Sequence, residues 1–124
     1  MKSSGYGILA LALAIAAPPA LAHHSTAMFN KDKVVTVTGV VTDYQWTNPH
    51  TWIELDVPGA KGVGHWSIEG GSTRVMEGFG WRVRTLKPGD RVTIDVHPFK
   101  NGKAGGLLMK AVLPDGRTLI WKPA

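Results

Sequence analysis

The chain has 124 residues, a formal net charge of +5 at neutral pH, 44% hydrophobic residues and no cysteine. This length supports one small hydrophobic core, and the lack of cysteine excludes disulfides and cysteine-based zinc sites. The basic residues are spread along the chain without a block of like charges, so nucleic-acid binding is not predicted.

Residues 1–22 have the organisation of a secretory signal peptide. Lys2 supplies a positive start, residues 8–17 form an apolar stretch, and Ala-Leu-Ala at 20–22 matches the pattern that signal peptidase recognises. The apolar stretch is shorter than the roughly 20 residues of a membrane-spanning helix, so no stable membrane anchor is expected. We therefore predict an exported protein, periplasmic in a Gram-negative host, whose mature chain begins at His23.

The mature chain divides into an arm and a β domain. Residues 23–33 are polar and aperiodic, which predicts an amino-terminal arm, and residues 34–124 are predicted to form the domain. Its first strand, VVTVTGVVTDYQW, is rich in β-branched residues, and its apolar phase changes at Gly39, where a bulge or sharp bend is expected. Matching the inward phases of TWIELDV and VGHWSIE predicts a hairpin with Leu55 opposite Trp66.

The second half of the domain contains a short helix and further strands. GGSTRVMEGFGW is predicted to hold the helix, capped by Ser72 or Thr73 and ended by Gly78 or Gly80. The strands RVTIDVH, LLMKAVL and RTLIW follow. Three strands, a helix and two or three more strands predict an all-β fold with one short helix, as a small OB-like barrel of five to six strands. Another small β-barrel or a sandwich is the alternative.

Two adjacent histidines begin the predicted mature chain. The free amine and Nδ1 of His23 can close one chelate ring on a metal ion. His24 offers a competing mode through the amine, a deprotonated amide and its own imidazole. Because the amine has a pKa near ~7.7–8.0 and an imidazole near ~6.5, few protons are displaced at neutral pH. Nitrogen-rich tetragonal ligand sets suit Cu(II), so a copper site is predicted here.

One further imidazole would complete this site. His50 is the leading candidate, because it lies in a tight Asn-Pro-His turn with Trp46 and Trp52 beside it to exclude water. An ordinary turn histidine bonded to a backbone carbonyl is the alternative. His97 is the rival third ligand, because an OB layout places the end of strand four near the start of strand one, where the arm enters. His65 is expected to pair with Asp56 across the hairpin.

A second interpretation needs no metal. Trp52, Glu54 and Glu69 are predicted on the outer face of the second and third strands, where OB barrels bind ligands, with Trp46 nearby. This face would serve a metal-free binding module for an envelope protein or a glycan. Catalytic motifs are lacking: no serine stands in a G-x-S-x-G context. A copper-dependent oxidase would need an open coordination position and a substrate surface, and no oligomeric state is indicated.

The mature chain resembles a family of small exported proteobacterial proteins that is classed only as a domain of unknown function. The resemblance rests on HHSTAMF, VTGVVTDYQWTNPHTWIELDV, WSIEGGS, LKPGDRVTI and LPDGR. It implies an exported location and identifies His23, His24 and His50 as family-motif positions, but it implies no activity. The leading hypothesis is an exported Cu(II)-binding protein for copper storage, buffering or delivery.

Overall fold

The computed structural model describes residues 26–123. Along them lie a turn of 3-10 helix, six strands and one α-helix: Thr26–Met28, β1 (Val35–Gln45), β2 (Trp52–Gly59), β3 (Gly62–Glu69), α1 (Thr73–Gly78), β4 (Arg91–Pro98), β5 (Gly105–Val112) and β6 (Thr118–Ile120). Each predicted strand is present, with ends that differ by one or two residues.

Five of the strands close into a barrel. β1 pairs with β2 on one side and with β4 on the other, and β2 pairs with β3, all antiparallel. β5 closes the ring, because it lies antiparallel to β4 and parallel to β3. β6 pairs with residues 110–112 of β5, beyond residues 105–107 that pair with β3. This closed order, with the helix between β3 and β4, confirms the predicted OB-like barrel.

The bend of β1 allows one strand to pair with two neighbours. Residues 35–40 pair with β4 and residues 40–45 pair with β2. A Cβ atom at Gly39 would lie 2.5 Å from the carbonyl oxygen of Asp56, so a side chain there would push the strands apart. The predicted phase change at Gly39 is wrong, because the register shift lies between Val41 and Asp43. The glycine provides the close approach and the bulge follows it.

The hairpin and the helix agree with their predicted geometry. Leu55 lies opposite Trp66 in the register of β2 and β3. The Ser72 side chain accepts a hydrogen bond from the backbone N–H of Val75 at 3.4 Å and so caps α1. Gly80, two residues after α1, has a φ of +93°, a conformation that favours glycine.

The core fills the barrel and also includes Trp81 and Trp121, which lie outside the strands. Trp81 is fully buried, and its Nε1 donates to the carbonyl oxygen of Ile120 at 3.0 Å, which ties the segment after α1 to β6. Trp121 packs against Gly71, where an added Cβ would lie 2.8 Å from the indole ring. Within residues 26–123, no helix has both the length and the apolar composition to cross a bilayer.

Candidate functional site

The loop between β1 and β2 holds His50 in a defined backbone position. The Thr47 hydroxyl donates to the carbonyl oxygen of His50 at 2.8 Å. The Asn48 side-chain oxygen accepts hydrogen bonds from the backbone N–H and the hydroxyl of Thr73, at 2.9 and 3.1 Å. These contacts attach the loop to itself and to the start of α1. The peptide bond between Asn48 and Pro49 is cis.

The imidazole of His50 is oriented by two acceptors from the end of β3. Its Nδ1 lies 3.1 Å from the carbonyl oxygen of Gly70 and 3.0 Å from Oε1 of Glu69. A carbonyl oxygen only accepts, so Nδ1 carries a proton, and in the neutral ring the lone pair is on Nε2. The two side chains are 19% and 13% exposed, so the pair is largely shielded from water. Metal-binding histidines are commonly held by such a second-nitrogen contact.

His97 has the same tautomer, set by the backbone carbonyl of a different segment. Its Nδ1 lies 2.8 Å from the carbonyl oxygen of Lys33, so this nitrogen is the donor and Nε2 carries the lone pair of the neutral ring. Lys33 lies two residues before the start of β1. The prediction that His97 lies where the arm enters the barrel is therefore confirmed.

The sheet register brings the two histidines to the same end of the barrel. His97 is paired with Leu107, Leu107 with Glu69, and Glu69 with Trp52. Register partners share one face of a sheet, so these four residues form a row on the outer face, called the outer row below, in which Leu107 is buried with 2% exposure. Two strand spacings separate the Cα atoms of His97 and Glu69, about 10 Å. His97 is a member of the outer row, and His50 contacts Glu69, another member.

The described part of the arm is attached beside the end of β4. Phe29 is buried and stacks on Phe99 with ring centroids 5.1 Å apart. Backbone hydrogen bonds join Asn30 N–H to the Pro98 carbonyl at 2.8 Å, and Lys100 N–H to the Met28 carbonyl at 2.9 Å. These contacts position Thr26, the first described residue, on the side of the barrel that carries His97. His23 and His24 lie outside the described residues.

Of the four residues predicted to form a ligand surface, Trp52, Glu54 and Glu69 share the outer face of β2 and β3, and Trp46 lies outside these strands. Trp46 packs against the core and lies 5.9 Å from the ring of Tyr44. Trp52 is half-buried in the outer row, opposite Glu69. Glu54 contacts other side chains on β3. The face therefore presents one tryptophan beside carboxylates that already have partners.

A second polar cluster on this face was predicted only in part. His65 Nδ1 lies 3.3 Å from Asp56, as the register predicted, but Nε2 makes a shorter contact of 2.9 Å with Glu54. Ser67 donates to the other oxygen of Glu54 at 2.8 Å. The hydrogen bond to Asp56, with a further contribution from Glu54, raises the pKa of His65 above its ordinary value of 6.5. The predicted register already places Glu54 diagonal to His65, and that signal identifies the contact.

Sequence reasoning missed the contact that Glu69 makes with His50. The register predicted the position of Glu69 opposite Trp52, but not its contact with His50, which lies two residues before Trp52. Within residues 26–123, no group of three or more His, Cys, Asp or Glu side chains is arranged to hold a metal ion. A metal site that uses His50 or His97 would therefore need donors from the residues before Thr26.

Comparison with known proteins gives one match. A model described as "Family of unknown function (DUF6152)" matches residues 11–110, a range that runs through β1 to β4 and most of β5. This match bears out the resemblance to a family of unknown function. No curated protein and no solved structure matches the chain.

Proposed function

The chain belongs to DUF6152, a family of unknown function, and we propose that it is an exported, periplasmic protein that binds Cu(II) at its mature amino terminus. Its role is to store, buffer or deliver copper. Signal peptidase cleavage after Ala22 liberates the amine of His23. That amine forms a chelate with the ring of His23 or, in the competing mode, with the amide and ring of His24.

His50 supplies the further imidazole in this proposal. The observation that carries the choice is the pair of acceptors at Nδ1, the Gly70 carbonyl and the Glu69 carboxylate. They hold the ring in the tautomer whose Nε2 lone pair binds a metal, and a carboxylate contact makes the ring a stronger donor. The resulting set of nitrogen donors suits Cu(II), which also has the highest affinity among divalent first-row ions for such sites.

The position of the arm supports the proposal as well. Three peptide units connect His23 to Thr26, so their Cα atoms are at most about 11 Å apart. Thr26 is held near the end of β4, which is where His97 lies and where the outer row begins. An amino terminus within this distance of Thr26 can meet an imidazole at this end of the barrel.

The direct test is native mass spectrometry of protein purified from the periplasm of a Gram-negative host. We expect His23 as the first residue and one copper ion per chain when copper is supplied. A mature chain that begins at another residue, or one that takes up no Cu(II), contradicts the proposal. The metal-free binding module would then be the function to examine.

A substitution series tests which histidine supplies the further imidazole. The variant His50→Ala is expected to lower the Cu(II) affinity by at least about tenfold, because it removes a donor whose orientation the protein maintains. His97→Ala and His65→Ala serve as matched controls that each remove one imidazole, and we expect their affinities to stay within about twofold of the parent. Isothermal titration measures the affinity, and electron paramagnetic resonance reports the number of nitrogen donors. If only His97→Ala lowers the Cu(II) affinity, then His97 and not His50 is the ligand.

A further inference from the structure

A basic cleft lies between the arm and the loop that joins β4 to β5. It has a volume of about 420 Å³, and its lining includes Lys33, Lys100 and Lys103 together with Trp66 and Phe99. This volume lies within the range of small-molecule sites. Of the described candidate copper ligands, neither His50 nor His97 lines it.

The charges of this cleft are unbalanced. None of the residues that line it carries a carboxylate, and none of its three lysines forms an ion pair with a described residue. Other lysines have partners: Lys87 lies 2.5 Å from Asp90, and Lys110 lies 3.1 Å from Asp95. Like charges lining one concave surface produce a focused positive potential, which attracts anions.

The loop that carries two of these lysines is held by hydrogen bonds at both ends. The backbone N–H of Lys100 donates to the Met28 carbonyl at 2.9 Å. The Ala104 carbonyl accepts from the N–H of Ser67 at 3.3 Å, and the Asn101 side chain accepts from the N–H of Lys103 at 3.0 Å. The ammonium groups therefore extend from an ordered backbone.

Trp66 connects the basic cleft to an apolar groove. The same half-buried indole also lines a second concavity of about 530 Å³ beside the β2–β3 hairpin, together with Val57, Pro58 and Val63, and with Lys61 as its one charged lining residue. Val63 is 68% exposed, although it is a large apolar side chain. A positive cleft and an apolar groove that share one tryptophan match a ligand with a charged end and an apolar end.

We propose that the cleft and the groove together bind one amphiphilic organic anion. Its carboxylate or phosphate group contacts Lys33, Lys100 and Lys103, and its apolar chain or ring lies across Trp66 toward Val63. This site is independent of the copper proposal. A free amphiphile and the head group of an anionic lipid share this chemistry, and the proposal commits to a single free molecule.

The test uses decanoate below its micelle-forming concentration and full-length mature protein without added metal. We expect saturable binding of one decanoate per chain by isothermal titration, with shifts of the amide NMR signals of residues 100–104. Decyltrimethylammonium, which has the same chain and the opposite charge, should not bind, and acetate should bind at least about tenfold more weakly.

Two pairs of exposed-residue variants locate the site. The double variant Lys100→Gln/Lys103→Gln should lower decanoate affinity at least about tenfold, whereas Arg74→Gln/Lys122→Gln removes the same net charge outside the cleft and should change it by less than about twofold. Val63→Asp should also weaken binding about tenfold, and Val83→Asp, at a residue 60% exposed outside both concavities, should not.

Three results would overturn the proposal. They are the absence of saturable decanoate binding, equal losses in the cleft variants and their controls, and binding to phosphatidylglycerol vesicles without binding to monomeric decanoate. Protein that carries a Gly-Pro extension before His23 should retain full decanoate affinity, so the failure of one proposal leaves the other intact.

Discussion

Placing Gly-Pro ahead of His23 is expected to lower the Cu(II) affinity of the mature protein by at least about 100-fold, since the chelate formed by the amine and the first ring is lost. The extension moves the amine two residues away. Proline has no amide hydrogen, so the first peptide nitrogen after the new amine cannot be deprotonated, and no series of fused chelate rings can lead from this amine to His23. Only the separate imidazoles then remain as donors.

The choice of extension matters for this experiment. A single added residue would place His24 third in the chain, and an amine, two deprotonated amides and a third-position imidazole form a strong copper site of their own. Gly-Pro avoids that new site. The matched control carries the same dipeptide after Ala124, and its affinity should equal that of the parent. Equal affinity in both extended proteins would reject the amino-terminal clamp.

Two single substitutions separate the competing modes of the amino terminus. In the first mode the ring of His23 binds with the amine, so His23→Ala should lose most of the affinity and His24→Ala should retain it. In the second mode the reverse is expected. Both comparisons use the authentic mature terminus, which mass spectrometry verifies before titration.

The substitution Trp81→Ala is expected to reduce the free energy of unfolding by about 3–5 kcal/mol. Trp81 is 0% exposed, and its Nε1 donates to the Ile120 carbonyl at 3.0 Å. Removing the indole leaves a cavity between the segment after α1 and β6 and leaves a backbone carbonyl without its donor. Small domains have total stabilities of about 5–15 kcal/mol, so this variant loses a large part of the total.

Trp52→Ala is the matched control for this prediction. Trp52 lies in the outer row, is half-buried and is absent from the core cluster, so its removal should cost markedly less. Trp81→Phe should fall between the two, because it keeps most of the apolar contact and loses the hydrogen bond. Urea unfolding followed by far-ultraviolet circular dichroism measures all three. A cost for Trp81→Ala no larger than that for Trp52→Ala would show that the segment after α1 is not part of the cooperative core.

The local structure of this protein follows from patterns that are short in sequence. Alternation with a period of two assigned the inward side chains of β2 and β3, and the short turn between them left one register that buries both sets. That register placed Leu55 opposite Trp66, as the structure has it. Equally local chemistry limited the helix cap to Ser72 or Thr73 and the terminating glycine to Gly78 or Gly80, and the structure has Ser72 as the cap and Gly80 with a positive φ.

The role of Gly39 shows where a local pattern is insufficient. A glycine within a strand indicates a bulge or a close approach, and the sequence does not distinguish the two. The distinction depends on the position of the Asp56 carbonyl, which belongs to the neighbouring strand. The bulge lies between Val41 and Asp43, in residues whose types carry no bulge signal.

Only part of the candidate copper site could be predicted from the sequence. The amino-terminal histidine pair, the turn histidine and its rival at the end of β4 are visible in the printed sequence, because the residue types alone suggest metal binding. The Glu69 and Lys33 contacts that set the tautomers of His50 and His97 are not visible, because they depend on how strands and loops meet at the barrel end. The basic cleft could not be predicted from the sequence either, because Lys33 and Lys103 are far apart in sequence.

The sequence by itself therefore determined the strand pattern, the hairpin register and the position of the short helix. Only the tertiary structure decided which acceptors orient each histidine, where β1 bulges and which lysines share one cleft. The physical reason is that side-chain alternation and turn chemistry act over a few residues. Barrel closure, in contrast, brings together β3, β4, β5 and the arm through contacts that no short-range pattern encodes.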